Sequence, residues 1–503
     1  MGETAGAILP VGSWVTLALS LGVISMIVGL FARRAMFLHS LRNVPFPSAL
    51  PIIGNAYQLN CSLEDFFKKL VEWSKEFGDI YLLWLGPRPM VFVYRVEGVQ
   101  ALLSSSVHID KSLEYLYLRR WLGNGLVING GESWHFRRKL VTPTFHSGLL
   151  LDYLKRTIRE ANIMVACLVN ELDNDGFDIV PYAKRAALDL ICETTMGYHM
   201  NAQTMLNNDY VRAVEKMTSI MQTRFTNIWI SIDAIFNLTS LGKEHERALN
   251  VIHSFVDKII AERKEQWKIA RDGNFNEATK KRPAFLDLLL EVSQDGAVLN
   301  DRDIRDEVNT FMFAGHDTVA TSLSWFFYAL GLHPEYQTKI LEEYDQVIGT
   351  EEITLEGLNK LPWLDACVKE VWRLYPVVPL LARQIYQPIK IMNHDIPVGS
   401  TVLINTFLLH RDPRHFPEPE VFRPERFLPE NPKPPTFAYI PFSAGSRNCI
   451  GWKFATMEVK VAILTVLKAY HIQSLETPDQ LRMSCSIVLI NANGLRVKIS
   501  RRK

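Results

Sequence analysis

The 503-residue chain has no C-x-x-C pair, no C-x-x-C-H, no long run of like charge and no internal repeat. Its six cysteines, Cys61, Cys167, Cys192, Cys367, Cys449 and Cys485, stand singly. That excludes the paired spacings of zinc sites and of thioether-attached cofactors. It also fits a reducing compartment better than a disulfide scaffold. Basic and acidic residues number 55 and 54, a net charge of +1, so no nucleic acid or other polyanion is implied as a partner. What is abundant is apolar surface. Hydrophobic residues make up 48% and aromatics 11% of the chain, enough for a large buried core.

Residues 11–32 form a charge-free apolar run containing Trp14, Leu17, Leu21, Ile24, Ile27 and Leu30. A helix of that length spans a hydrocarbon core of about 30 Å, whereas the apolar part of a cleaved signal peptide is about 7–15 residues. Residues 1–32 therefore read as a single membrane anchor in contact with lipid. Arg33, Arg34 and Arg42 follow the span and Glu3 precedes it. The positive-inside rule then leaves the rest of the chain in the cytosol. On that topology the sequons at Asn60 and Asn237 stay unglycosylated. Residues 33–55, with prolines at 45, 47 and 51, read as a semi-rigid connector. Residues 56–503 form the remaining domain. Strand-like runs lie at 80–85 and 90–94, and helical periodicity covers 152–172, 247–267, 302–332 and 364–375. The polar stretch 271–283 reads as a surface loop, and 393–486 as short apolar runs among proline-rich meanders.

The richest stretch is 441–451, where Phe442, Gly445, Arg447 and Gly451 stand at fixed offsets around Cys449. Glycines beside a cysteine let the backbone approach a flat macrocycle and leave amide N–H groups to point at sulfur. Arg447 can pair with a propionate, and Phe442 gives the sulfur an apolar wall. A thiolate on haem iron pushes electron density onto the metal and favours O–O cleavage. Taken alone, the residues also allow an inert buried cysteine in a glycine-rich loop. The pattern F-x-x-G-x-R-x-C-x-G resembles the cysteine-ligand signature of the cytochrome P-450 superfamily. That resemblance spans residues 45–503 and implies a mainly α fold with small β-sheets. It also implies haem b with Cys449 as the axial metal ligand.

Three further motifs agree with it. Glu370 and Arg373 lie three apart on a helix and face the same way. With Arg426 of Phe422-Arg-Pro-Glu-Arg-Phe427, they resemble the superfamily's structural charge network. Ala314-Gly-His-Asp317-Thr318 sits within a helix whose His316 and Asp317 make a second membrane span costly. It resembles the oxygen-activation pattern A-G-x-D-T, with Asp317 and Thr318 as an acid–alcohol pair moving protons through water. Small residues at Ala314 and Gly315 would admit a flat ligand. Trp134 and Arg138, four apart, resemble a propionate-binding pair, and Arg383 resembles a propionate arginine on a strand. A basic face around Arg137, Lys139 and Lys453 would suit an acidic electron donor.

The stretch 307–318 is similar to the animal family-four branch, typically fatty-acid ω-hydroxylases. Many of those enzymes carry a glutamate at the position of Ala314 that can esterify the haem. Alanine cannot, so no covalent ester is expected. The resemblance implies a monooxygenase at the endoplasmic reticulum. It would insert one atom of O2 into a lipophilic substrate, fatty acid-like or xenobiotic. Electrons would come from NADPH through NADPH-cytochrome P-450 reductase, with cytochrome b5 as a further donor. Candidate pocket residues are Phe311, Phe313, Val377, Leu381 and Val488, within wider segments at 113–122, 217–232, 377–381 and 487–489. Two alternatives are an isomerase or dehydratase of peroxides, and a haem-based gas sensor with no use for the acid–alcohol pair.

Overall fold

A computed structural model of the chain describes residues 11–502 except 87, 146, 206–208, 228, 273–283, 294–295 and 486. The loop expected at 271–283 lies almost wholly outside the described residues, apart from its first two positions, which end a helix.

Helix α1 (Val11–Ser40) continues past the expected end of the anchor, so residues 33–40 are helix rather than connector. Its stretch Trp14–Ser40 is long and apolar enough to cross a membrane. The last turns are held by the body. Phe37 and Leu41 are buried, Phe37 meets Trp84 edge-on, and Arg34 donates to the carbonyls of Leu50 and Pro51 at 2.6 and 2.5 Å. A helix anchored at its base by such contacts fixes its angle to the domain more firmly than a proline linker would.

The main sheet has four strands. Strand β1 (Ile80–Leu85) pairs antiparallel with β2 (Arg88–Val93). Two strands from much later in the chain complete it. These are β3 (Leu380–Gln384) and β4 (Thr401–Asn405), giving the order β1-β2-β4-β3 with β2 and β4 parallel.

The helical layer contains α2 (Gly131–Val141), α3 (Ser147–Leu168), α4 (Val180–Ile191), α5 (Asp209–Thr226) and α6 (Ser240–Asp272). It continues with α7 (Asp301–Leu332), α8 (Pro362–Leu374) and α9 (Trp452–Ala469). Helix α7 starts at a reciprocal cap. Asn300 Oδ1 accepts from the Asp303 amide, and Asp303 accepts from the Asn300 amide. From Ile304 to Gly331 most of its residues are buried, which makes it the central helix of the largest core. Proline opens α8, where a missing N–H costs nothing.

Helix α9 was not expected, since the 393–486 region reads as short apolar runs among proline-rich meanders. Its residues from Met457 to Leu464 are buried without interruption. A helix buried on all sides shows no polar stripe, so periodicity misses it.

Candidate functional site

Cys449 ends a tight loop rather than lying in a strand. Its amide donates to the Phe442 carbonyl at 2.9 Å, and Asn448 N–H to Gly445 O at 3.2 Å. The six cysteines are all free, and Cys449 alone is exposed. Burial around the sulfur pushes its pKa up, while an amide hydrogen bond from Gly451 and the Arg138 charge pull it back. These are the donors a thiolate metal ligand needs. The glycines act differently from expectation. Gly445 has φ +72°, and a Cβ there would lie 1.9 Å from the Leu103 carbonyl oxygen. Protein backbone, not a flat ligand, forbids a side chain at that position. At Gly451 the nearest atom to such a Cβ is 3.8 Å away, on Phe145, so the protein leaves that side open.

Beside this loop four cations gather with little to neutralise them. Arg447 donates to the carbonyls of Asn129 and Val127 and lies over the Trp134 ring, 4.6 Å from its centroid. Arg138 holds the Asn448 carbonyl and side chain, each at 2.9 Å. Burial and the neighbouring Arg383 and Arg138 bring the Arg447 pKa down to about 9. Burial lowers Arg383 as well. Lys111, missed in the sequence, bridges to Arg383 through the backbone, and burial with repulsion from Arg383 and Arg447 drives its pKa well below the usual lysine range. Only Asp110 enters as an opposing carboxylate for both arginines. Mutually repelling buried cations are costly unless an anion joins them. A dianionic macrocycle beside an open thiol meets that need, so the residues present fit a haem with its propionates on this cluster. Nothing in the sequence marked Lys111, because the arginines it meets stand 272 and 336 positions away.

On α7 the Thr318 hydroxyl donates to the Ala314 carbonyl at 2.6 Å, which leaves its lone pairs free to accept. Asp317 lines a cavity with Lys184 of α4 and Thr218 of α5 that Thr318 does not line. Burial raises its pKa and Lys184 opposes that rise. The acid and the alcohol therefore do not face one space. His316 is buried, and desolvation takes its pKa down to about 4, so it is neutral. Gly315 admits α4 rather than a ligand, since a Cβ there would come within 2.4 Å of Ile191 Cδ1.

The charge network is the most closely determined part. Glu370 and Arg373 are fully buried and form a bidentate pair, both contacts at 2.8 Å. Arg426 Nε reaches Glu370 Oε1 at 3.1 Å, and the Arg423 amide reaches the same oxygen at 2.8 Å. Arg373 also donates to the carbonyls of His410, Pro419 and Val421. His410 Nε2 in turn accepts the Ile440 amide, just before the cysteine loop. Burial and Arg373 bring the His410 pKa down to about 3, which keeps that nitrogen an acceptor. Trp372 completes the connection by donating to Ser322 of α7 at 2.7 Å and meeting the Phe442 ring edge-on at 4.9 Å. Neither His410 nor Trp372 was singled out from the sequence. The i,i+3 spacing marks their neighbour Arg373, but carries no signal for groups brought in from other elements.

Several expectations need correction. Arg137 is no part of an exposed basic face, because it is buried against Glu307 at 2.9 Å and Asp303 at 2.5 Å. Lys139 and Lys453 are exposed. The five pocket picks do not line the apolar cavity beside the sheet, which is walled by Leu83, Met90, Phe92, Tyr115, Leu380 and Ala382. Strand alternation explains Leu381, which faces the other side of β3 and packs with Ile385 and Ile404. Phe311 is stacked against Phe145 and tilted on Phe285, and Phe313 lies against Trp121. Val377 packs on the main core, and Val488 lines the Asp317 cavity. The wider segments fare better. Leu118, Ser231, Val378 and Ile487 all line the apolar cavity. Of the stretch 217–232, residue 228 lies outside the described residues.

A family model described as Cytochrome P450 matches residues 44–499. The chain is similar to Cytochrome P450 4V2 of Homo sapiens, 40% identical over 500 residues that cover 96% of this chain and 95% of that protein. It is similar to Cytochrome P450 4c3 of Drosophila melanogaster, 39% identical over 489 residues covering 93% and 91%. Cytochrome P450 4d2 of Drosophila melanogaster is 37% identical over 479 residues, covering 91% and 94%.

Proposed function

This chain belongs to the cytochrome P450 family, in its animal family-four branch, and on that premise we propose that Cys449 is the axial ligand through which it works as a membrane-anchored oxygenase of lipophilic molecules. Family membership makes the protein a haem-thiolate monooxygenase that uses O2 and haem b. The observation that carries the residue assignment is the meeting of one exposed thiol with four crowded cations from four separate segments of the chain. When bound, the haem supplies oxygen activation, with electron density pushed from the sulfur. Arg138, Arg383, Arg447 and Lys111 would orient it by its two carboxylates. The Gly451 amide and Arg138 oppose the desolvation that keeps a proton on Cys449 Sγ. The Thr318 hydroxyl, already donating to Ala314 O, keeps its lone pairs free to accept a hydrogen bond from a water and so to orient it. Asp317 collects protons from the cavity it shares with Lys184 and Thr218. Glu370, Arg373 and Arg426 are architectural.

We place the body on the cytosolic face of the endoplasmic reticulum, anchored by α1, since Arg33, Arg34 and Arg42 follow the apolar span. Residues 1–32 are then the anchor and the oxygenase domain begins near residue 56. Electrons come from NADPH-cytochrome P-450 reductase or cytochrome b5, for which exposed Lys139 and Lys453 are the candidate docking charges. The test is substrate-dependent NADPH oxidation by full-length protein reconstituted with the reductase. Oxidation coupled to product is expected, with a reduced-CO band of the thiolate type that Cys449→Ser loses. Turnover of a lipid peroxide without O2 or reductase would instead support the isomerase reading. Thr318→Ala should divert several-fold more NADPH electrons to hydrogen peroxide at similar substrate affinity.

A further inference from the structure

The apolar cavity beside the sheet has one polar end. Among its described lining residues only Arg88 and Glu114 carry charge, and they pair with each other, Arg88 Nη1 to Glu114 Oε1 at 3.3 Å. The pair contributes no net charge. Two polar atoms at this end have no partner, Glu114 Oε2 and the hydroxyl of Ser112, although Ser112 is only 2% exposed. Everything else about the cavity, about 170 Å³ in volume, is dominated by aliphatic and aromatic walls.

We propose that this cavity selects a neutral long-chain amphiphile with a hydroxyl head, read jointly by Arg88, Ser112 and Glu114. The inference rests on the lipophilic-oxygenase reading above and narrows it. A carboxylate Oε2 without a donor asks for a hydrogen-bond donor on the ligand. The guanidinium beside it asks for an acceptor. A hydroxyl group is both at once, and it also satisfies Ser112. A bare hydrocarbon leaves these atoms unpaired, and a site with buried polar groups rejects ligands that cannot meet them. A carboxylate head fares worse. The cation it would seek is already matched by Glu114, and no second cation lines the cavity, so it would sit against a like charge. A cationic amine would meet the same conflict with Arg88.

The experiment compares 1-dodecanol with dodecanoate, which share a chain length and differ in the head. Each is titrated into the full-length holoenzyme at neutral pH, with the Soret shift as the readout. The alcohol should half-saturate at a concentration about tenfold or more below the acid. Glu114→Gln removes the opposing charge and keeps an acceptor, so it should tighten dodecanoate by about tenfold and change dodecanol little. Ser112→Ala should weaken dodecanol several-fold. Acid binding equal to or tighter than alcohol in the parent protein, or an unchanged ratio in Glu114→Gln, overturns the inference, as does failure of the alcohol to bind. If the preparation shows a thiolate-type reduced-CO band, those results leave the oxygenase reading standing. A haem-loaded preparation without that band overturns the oxygenase reading and this inference together.

Discussion

Replacing Glu370 with alanine should cost the protein its haem before it costs any chemistry. The carboxylate is fully buried and holds four donors. These are Nε and one terminal nitrogen of Arg373 at 2.8 Å each, Arg426 Nε at 3.1 Å and the Arg423 amide at 2.8 Å. Its removal leaves the Arg373 guanidinium buried without a counter-charge, worth about 3–5 kcal/mol. The orphaned Arg423 amide adds about 1–3 kcal/mol. Arg373 keeps its bonds to the carbonyls of His410, Pro419 and Val421, which places the sum near the lower end of that range. Domains are stable by only about 5–15 kcal/mol, so the loss is a large fraction. At roughly 1 °C per kcal/mol for a chain this long, Tm should fall by ~3–5 °C. The haem-to-protein ratio should drop by more than half, because Arg373 also holds the His410 carbonyl and His410 the Ile440 amide that leads into the cysteine loop. Glu370→Gln keeps the shape and should lie between. The double variant Glu370→Ala, Arg373→Met should recover stability relative to Glu370→Ala, since an unpaired buried charge is worse than none. Full haem content and a Tm within ~1 °C of the parent in Glu370→Ala would refute the reasoning.

Gly445→Ala should yield little folded holoenzyme, because its Cβ would strike the Leu103 carbonyl at 1.9 Å and φ is +72°. Gly315→Ala should fold but lose about 1–3 kcal/mol in urea unfolding, since Ile191 can shift by a rotamer where a carbonyl cannot. Lys184→Met removes the cation that lowers Asp317, so the Asp317 pKa should rise and the acidic limb of the turnover profile move to higher pH. The sign for stability is the reverse of an ion-paired carboxylate. A raised folded pKa contributes stability below the ordinary carboxyl range and loses it as pH rises through the folded value, so the variant should be the less stable one at neutral pH. With Ala314 in place of an esterifying glutamate, acidic organic solvent should extract all of the haem intact; retention on the polypeptide would contradict this.

Much of the site was legible in one dimension wherever chemistry depends on neighbours along the backbone. The Phe442–Gly451 spacing, the three-residue step from Glu370 to Arg373 and the Ala314–Thr318 turn are of that kind. Gly445 and Gly315 were marked correctly and explained wrongly. Gly445 answers to Leu103 and Gly315 to Ile191, both distant in the chain. Helix α9 escaped because burial on every side erases the amphipathic period. Strand parity decides one pocket pick, as Leu380 and Ala382 face the apolar cavity and Leu381 turns away.

By itself, the sequence determined the long apolar N-terminal helix, the cysteine loop and the identity of the buried ion pair. Each rests on composition or on offsets of a few residues, which covalent geometry turns into proximity. The tertiary structure decided what those pieces meet. Strand pairing set Lys111 beside Arg383 and completed the cation cluster. Helix packing took Arg137 from the surface to Glu307, and set Asp317 in a cavity with Lys184 that Thr318 does not line. Contacts between residues hundreds of positions apart follow from how layers bury their apolar faces, a property of the whole chain that no local spacing encodes.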